Sequence, residues 1–221
     1  MSHYFTNEEV KSELRKINVN IGDKNFIFNV DNGVFSKKGL DFGSRTMIES
    51  LLGEGLHGKG LDVGCGYGPI GIILSSFFNL DIDMTDINKR AVHLCKMNIK
   101  ENNVNCETFI SDIYESVNKK YDFIVTNPPI RAGKKIVYDI LFKSKDYLLP
   151  GGVLYFVINK DQGAKSVIRD LSSVGKVSIL KKYKGFFVIK CIFDWQLDRF
   201  MLIIEVGYLS GLGTRFLKIW K

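Results

Sequence analysis

Leu61-Asp62-Val63-Gly64-Cys65-Gly66-Tyr67-Gly68-Pro69-Ile70-Gly71 reads as a buried strand, a glycine-rich turn and the first turn of a helix. Glycines let the backbone take positive φ and let a ligand approach the main chain closely. The amides at the helix N-terminus then face whatever lies in the turn. Gly66-x-Gly68-x-x-Gly71 also fits the dinucleotide fingerprint, which by itself carries little specificity. The residues that narrow it follow downstream: Asp86, Asp112 and Asn127-Pro128-Pro129.

Around this stretch, from Gly60 on, short apolar runs alternate with longer helical patterns. The runs are Leu61–Val63, Leu80–Thr85, Glu107–Ile110, Phe123–Thr126 and Val153–Ile158. The helical spacers cover 70–78, 88–102, 133–148 and 161–174. This alternation predicts a parallel, doubly wound α/β sheet. Pro150-Gly151-Gly152 makes a tight turn into the fifth strand. Val177–Leu180 and Phe186–Ile192, with only a turn at Lys184-Gly185 between them, must pair antiparallel.

Upstream, Ile17–Ile21 and Phe26–Val30 alternate around Gly22-Asp23-Lys24-Asn25, which predicts an N-terminal β-hairpin after a polar, partly helical lead-in over 1–16. Ser44 is placed to cap a helix starting at Arg45 and ending by Gly53 and Gly55. The expected division is 1–59 for the hairpin and first helix, 60–192 for the core, and 193–221 for an aromatic extension without clear period. That extension, of unassigned role, is read as covering the sheet edge, forming a dimer contact, or being a non-native appendage.

The 221 residues suffice for one good-sized domain, and 45% hydrophobic with 25% charged residues is ordinary for a globular protein. A net charge of +7 suits a polyanionic partner, nucleic acid first, although a solvated basic surface gives the same sum. The four cysteines are scattered and the three histidines do not join them, which argues against a zinc site and for a reducing cytosol. No signal peptide and no apolar run of membrane-spanning length is expected, since the longest, Phe200–Ile204, stops at Glu205.

Asp86 ends a buried strand 86 − 64 = 22 positions after Gly64, where a carboxylate can accept from ribose hydroxyls. NAD and S-adenosylmethionine both satisfy that. Asp112 is placed to accept from an adenine amino group, or else to cap the turn at Ile113-Tyr114-Glu115. Asp62 lies inside a strand, where a bare carboxylate is costly unless the loop amides or a ligand ammonium meet it. NAD offers no ammonium; S-adenosylmethionine does.

Asn127-Pro128-Pro129 decides between them. The two prolines fix the backbone and remove two amide donors. The Asn127 side-chain oxygen and the Pro128 carbonyl are left as rigid acceptors at the C-terminal edge of the sheet, where ligands bind in such folds. Two converging acceptors are what an exocyclic amine of a nucleobase requires. They localise its delocalised lone pair toward a methyl-sulfonium, so positioning and charge placement do most of the catalysis. A plain strand-ending turn is the bland alternative.

Together, Asp62-Val63-Gly64-Cys65-Gly66-Tyr67-Gly68, Asp86, Asp112 and Asn127-Pro128-Pro129 resemble the motifs of class I S-adenosylmethionine-dependent methyltransferases that modify exocyclic amines. Two further segments are similar to the small-subunit ribosomal RNA guanine-N2 methyltransferase family: Gly33-Val34-Phe35-Ser36 with Leu40-Asp41-Phe42-Gly43-Ser44, and Asn127–Lys134 as the catalytic loop. The resemblance spans about residues 3 to 192. It implies a Rossmann-like, seven-stranded, mostly parallel sheet with the last strand antiparallel.

The cofactor implied is S-adenosyl-L-methionine, held by Asp62, Gly64, Cys65, Gly66, Gly68, Asp86, Ile87, Asp112, Ile113 and Asn127. Asn127, Pro128 and Pro129 form the catalytic set, and Ile130, Arg131 and Lys134 face the substrate. The expected partner is ribosomal RNA or a ribosomal subunit, met in the cytoplasm by a monomer or homodimer without a membrane. The alternatives are DNA adenine, protein glutamine or a small molecule as acceptor, an NAD-binding oxidoreductase, and a non-catalytic RNA-binding module.

Two features depart from the family pattern. Longer members carry a duplicated domain ahead of the catalytic one, for which this sequence has no room. Ile130 stands where amino-methyltransferases often carry an aromatic ring, giving an apolar platform with weaker stacking. Lys135, the set Lys181, Lys182 and Lys184, and the set Lys37, Lys38 and Arg45 are further candidate phosphate contacts. Phe42 is placed either as a lid over the cofactor or in the core, and Cys65 serves through its backbone rather than its thiol.

Overall fold

The computed structural model describes residues 11–34 and 39–195. The expectations for residues 1–10, for Phe35, Ser36, Lys37 and Lys38, and for the tail from 196 on lie outside the described residues. Strands β1 (Arg15–Ile21) and β2 (Lys24–Val30) form the antiparallel hairpin. Its turn is tighter than the four residues expected: Ile21 pairs with Lys24, so Gly22 at φ 56 and Asp23 alone make the reversal.

Seven strands make the main sheet: β3 (Gly60–Val63), β4 (Ile82–Asp86), β5 (Cys106–Ile110), β6 (Tyr121–Thr126), β7 (Leu148–Asn159), β8 (Gly175–Tyr183) and β9 (Phe186–Phe193). Their order is β5-β4-β3-β6-β7-β9-β8. The neighbours from β5 to β7 are parallel, and β9 runs antiparallel between β7 and β8. The expected α/β architecture is therefore present, with the last strand inserted rather than added at the edge. The helices are α1 (Phe42–Leu51), α2 (Pro69–Phe78), α3 (Lys89–Glu101), α4 (Lys134–Tyr147) and α5 (Ala164–Leu171).

The central strands bury both faces, each in its own core. Phe123 and Val125 of β6 enter the core shared with the hairpin, α1, α2 and α3, while Ile124 enters the one shared with α4 and α5. Period two is the reason, since successive side chains leave a strand on opposite sides. On β3 the same rule sends Leu61 and Val63 toward α4 and α5, and turns Asp62 toward α2. Asn98 of α3 ties the hairpin to the glycine turn: its Nδ2 donates to the carbonyls of Asn29 (3.0 Å) and Tyr67 (2.8 Å), and its Oδ1 accepts from Asn29 N (2.6 Å).

Four boundaries differ from expectation. Helix α1 starts at Phe42, capped by Asp41 rather than by Ser44, because the Asp41 carboxylate accepts from the Ser44 amide at 3.0 Å. Strand β4 starts at Ile82, since Ser75 turns the preceding chain by donating to the Leu80 carbonyl at 2.7 Å. The last helix shortens to Ala164–Leu171, preceded by a 3-10 turn at Lys160–Gln162. Phe193 belongs to β9, not to the extension. Pro150-Gly151-Gly152 sits within β7 as a bulge, where pairing jumps from Tyr121↔Leu148 to Phe123↔Val153.

Candidate active site

The chain runs outward from β3 through β4 to β5 and returns to β6 on the other side of β3. A crevice opens at such a reversal, outside the carboxyl ends of the strands. The glycine turn, Asp86, the 111–113 loop and Asn127 all lie on that edge.

Gly64 (φ 72), Gly66 (φ 59) and Gly68 (φ 90) all hold left-handed backbone. A Cβ on Gly64 or Gly66 would meet nothing within 4 Å, so these two leave room for a ligand. One on Gly68 would stand 2.6 Å from Cys95 Sγ, so that glycine serves packing. The amides of Gly64 and Cys65 are spent on the Thr85 carbonyl, at 2.8 and 2.9 Å, and the Gly66 amide on Asp86 Oδ2 at 2.9 Å. The turn is thus fixed before any ligand arrives.

Asp62 is 1% exposed. Its Oδ2 accepts from the Gly71 amide at 3.0 Å, while Oδ1 is buried without a partner among the described residues. Burial, helped by the nearby Asp86 charge, pushes its carboxyl up to about 7. An orphaned carboxylate oxygen at the head of the glycine turn fits a cationic ligand group.

Asp86 accepts from the amides of Asn88 (2.8 Å) and Gly66. Burial raises its carboxyl above the usual range against those two bonds. Two of about four acceptor positions on a carboxylate remain for hydroxyls. Ile87 beside it is exposed. Across from it the Ser111 amide donates to the Asp86 carbonyl at 3.1 Å, and the Ser111 hydroxyl donates to the Ile113 carbonyl at 3.1 Å.

Ile113 is held at φ 50, a genuine outlier for a β-branched residue. Strain of this kind persists where surrounding structure enforces it, and it clusters at ligand sites. Asp112 is exposed, with its carbonyl accepting from the Glu115 amide at 3.0 Å. Ile87 and Ile113 thus offer apolar surface with a carboxylate beside them, as an adenine requires.

Asn127 follows β6, whose end is tied to β3 by Thr126 Oγ1 donating to the Val63 carbonyl at 2.8 Å. Its Nδ2 donates to Asp41 Oδ1 (3.2 Å) and Ser44 Oγ (3.0 Å). A carboxylate only accepts, so the amide has one possible orientation and Oδ1 is left to the crevice. The Pro129 carbonyl is taken by the Ala132 amide at 2.9 Å. No donor among the described residues reaches the Pro128 carbonyl.

Asp41 and Ser44, which lie in the segment that resembles the family, were not expected to meet Asn127. The resemblance gave that segment no contact with Asn127, and the helix-capping pattern assigned the cap to Ser44 instead of Asp41.

Ile130 and Arg131 lie on a 3-10 turn (Ile130–Ala132), Ile130 half-buried and Arg131 exposed. Lys134 opens α4, its Nζ 4.8 Å from the Tyr138 ring. Arg45 is engaged by the Asn20 carbonyl (3.0 Å) and Glu49 (3.3 Å). Phe42 packs on the β8–β9 hairpin against Tyr183 and Phe186. The Cys95 thiol beside it, together with burial, holds the Cys65 thiol far above the ordinary range, so it is no nucleophile.

The methyltransferase small domain family matches residues 25–190. A Bacillus subtilis protein, uncharacterized protein YbxB, is 44% identical over 194 residues, 85% of this chain and 96% of that one. Ribosomal RNA small subunit methyltransferase C of Haemophilus influenzae is 36% identical over 132 residues, 58% of this chain and 40% of that one. Its Buchnera aphidicola counterpart is 35% identical over 172 residues, 74% and 51% respectively. The chain thus spans about half or less of the length of those methyltransferases. In fold it is similar to a T. thermophilus 16S rRNA N2 G1207 methyltransferase solved with AdoMet and guanosine, with TM-score 0.75, 22% identity, and coverage of 85% of this chain and 52% of that one.

Proposed function

This chain belongs to the methyltransferase small domain family, and on that premise we propose that it methylates guanine N2 of small-subunit ribosomal RNA, using S-adenosylmethionine. The observation that carries the reading is the locked amide of Asn127. Its nitrogen is held by Asp41 and Ser44, so its oxygen and the Pro128 carbonyl are the two acceptors offered to an incoming amine. Family membership sets aside the oxidoreductase reading.

S-adenosylmethionine, when bound, supplies an electrophilic methyl on a sulfonium. The orphaned Asp62 oxygen would accept a hydrogen bond from its ammonium, Gly64 and Gly66 would leave room for its approach, and Asp86 would accept from the ribose hydroxyls. Ile87 and Ile113 would offer apolar surface to the adenine, and Asp112 would accept from its amino group. Asn127 Oδ1 and Pro128 O accept the two N–H bonds of the guanine amine, drawing its lone pair out of the ring and along the transfer line. Such preorganised acceptors need no reorganisation as charge develops. Methyl transfer would break the sulfonium S–CH3 bond and leave a neutral thioether, and the acidic methylated ammonium would then lose its proton to water.

Ile130 forms an apolar wall for the base, and Arg131 and Lys134 meet phosphates. No described helix is long and apolar enough to cross a membrane. A ribosomal substrate puts the enzyme in the cytoplasm.

The test is methyl transfer from radiolabelled S-adenosylmethionine to naked small-subunit RNA, assembled small subunits and large-subunit RNA, with the modified nucleoside identified after digestion. Label in N2-methylguanosine from small-subunit RNA is expected. Cofactor binding with no label in any RNA overturns the substrate.

A further inference from the structure

The tip of the β8–β9 hairpin stands on the same edge of the sheet as Asn127. Phe186 pairs with Asn159 at the end of β7, and Thr126 at the end of β6 pairs with Phe156 of the same strand. The Lys160 amide fastens the tip by donating to the Gly185 carbonyl at 2.7 Å. The tip is joined to the catalytic loop through the start of α1, where Asp41 accepts from Asn127 and the next residue, Phe42, packs on Tyr183 and Phe186.

Three rings and a cation gather there. Phe42, next to the Asp41 that holds Asn127, stacks on Tyr183 with centroids 5.4 Å apart and 25° between planes, and meets Phe186 at 5.6 Å. The turn residues Lys184 (φ 44) and Gly185 (φ 83) are both left-handed, the two-residue hairpin geometry that normally recruits Asn-Gly. Lys184 accepts the strained conformation, and its Nζ stands 5.4 Å from the Phe42 centroid and 5.5 Å from that of Tyr183.

Tyr183 remains 47% exposed, an unusual position for a large ring at a tip that gains little from burying it. Lys181, Lys182 and Lys184 are exposed, and none meets a carboxylate among the described residues. A half-exposed ring among cations that no carboxylate neutralises suits an unpaired base with phosphate beside it. Base–aromatic stacking with a backbone-tracking positive charge is how single strands are held without regard to sequence.

We propose that Tyr183, backed by Phe42 and Lys184, stacks an unpaired RNA base flanking the methylated one, with Lys181, two residues away on the same strand, on an adjoining phosphate. This rests on the RNA methyltransferase reading and adds to it the aromatic surface that Ile130 does not provide.

The test uses the full chain and a labelled single-stranded RNA oligonucleotide containing the guanine that the wild type methylates. Tyr183→Ala is expected to raise KM and Kd for the oligonucleotide roughly 5- to 150-fold, the range for one lost stack. At saturating RNA kcat stays within about twofold, as does S-adenosylmethionine affinity. Tyr183→Phe keeps the ring and binds like wild type. Lys176→Ala, the same charge at the far end of β8, changes nothing.

Unaltered KM in Tyr183→Ala overturns the platform. So does a fall in cofactor affinity or in Tyr183→Phe activity, which would mark packing instead. A wild type that neither binds nor methylates RNA refutes the underlying reading and removes this one with it.

Discussion

Asp62→Asn is the most informative single change, because the wild-type residue works against the fold. Its carboxyl is raised from 3.8 to about 7 by burial and the Asp86 charge. About three pKa units at 1.36 kcal/mol each give about 4 kcal/mol between protonated and charged forms. The folded state holds the proton more tightly than the unfolded chain. The stabilising contribution is therefore complete below pH 3.8 and is lost as pH rises through about 7.

Asparagine keeps the acceptor for the Gly71 amide and never ionises. It leaves an amide nitrogen unpaired where Oδ1 is orphaned, which costs about 1–3 kcal/mol. Near pH 8 the net gain is about 2 kcal/mol, which for a chain of this size raises Tm by roughly 4–8 °C. At pH 4.5 the gain vanishes or reverses.

Thermal melts of both proteins across pH 4.5–8.5, without and with S-adenosylmethionine, read this directly. With cofactor the order should invert, since the variant has lost the charge that meets the ammonium. A melting difference independent of pH, or cofactor affinity unchanged in the variant, would refute the assignment of Asp62 as a destabilising, ligand-facing carboxylate.

Asn127→Ala should lower kcat by two orders of magnitude or more, the scale for one removed preorganised partner, while isothermal titration finds S-adenosylmethionine affinity little changed. Ser44→Ala frees one of the two restraints on that amide and should lower kcat by about tenfold at unchanged cofactor Kd; an unaltered rate would show the restraint is idle. Ile113→Gly relieves left-handed strain of about 1 kcal/mol but gives up the side chain's packing against the core, so Tm should hold or fall slightly while cofactor Kd weakens. Gly66→Ala has space for its methyl but not for its φ, so a modest loss of Tm should accompany nearly complete loss of cofactor binding.

Sequence alone determined the alternation of strand and helix, because two periodicities in hydrophobicity report directly on which side chains are buried. It also determined the glycine turn, Asp86 and the rigid pair of acceptors at Asn127 and Pro128, because each is a local backbone requirement written in adjacent residues. Helix caps were harder. Asp41 and Ser44 both suit the start of α1, and only the tertiary structure shows that Asp41 caps the helix and that both accept from the Asn127 amide.

The charge state of Asp62 likewise depends on what packs over β3, not on its neighbours in the chain. The same holds for the rings at the hairpin tip. Phe42 and Tyr183 are separated by most of the sequence and belong to different periodic patterns. They meet because β9 inserts antiparallel between β7 and β8 and carries the turn back to the edge where α1 begins. Contacts of that kind come from sheet order, which sequence periodicity does not encode.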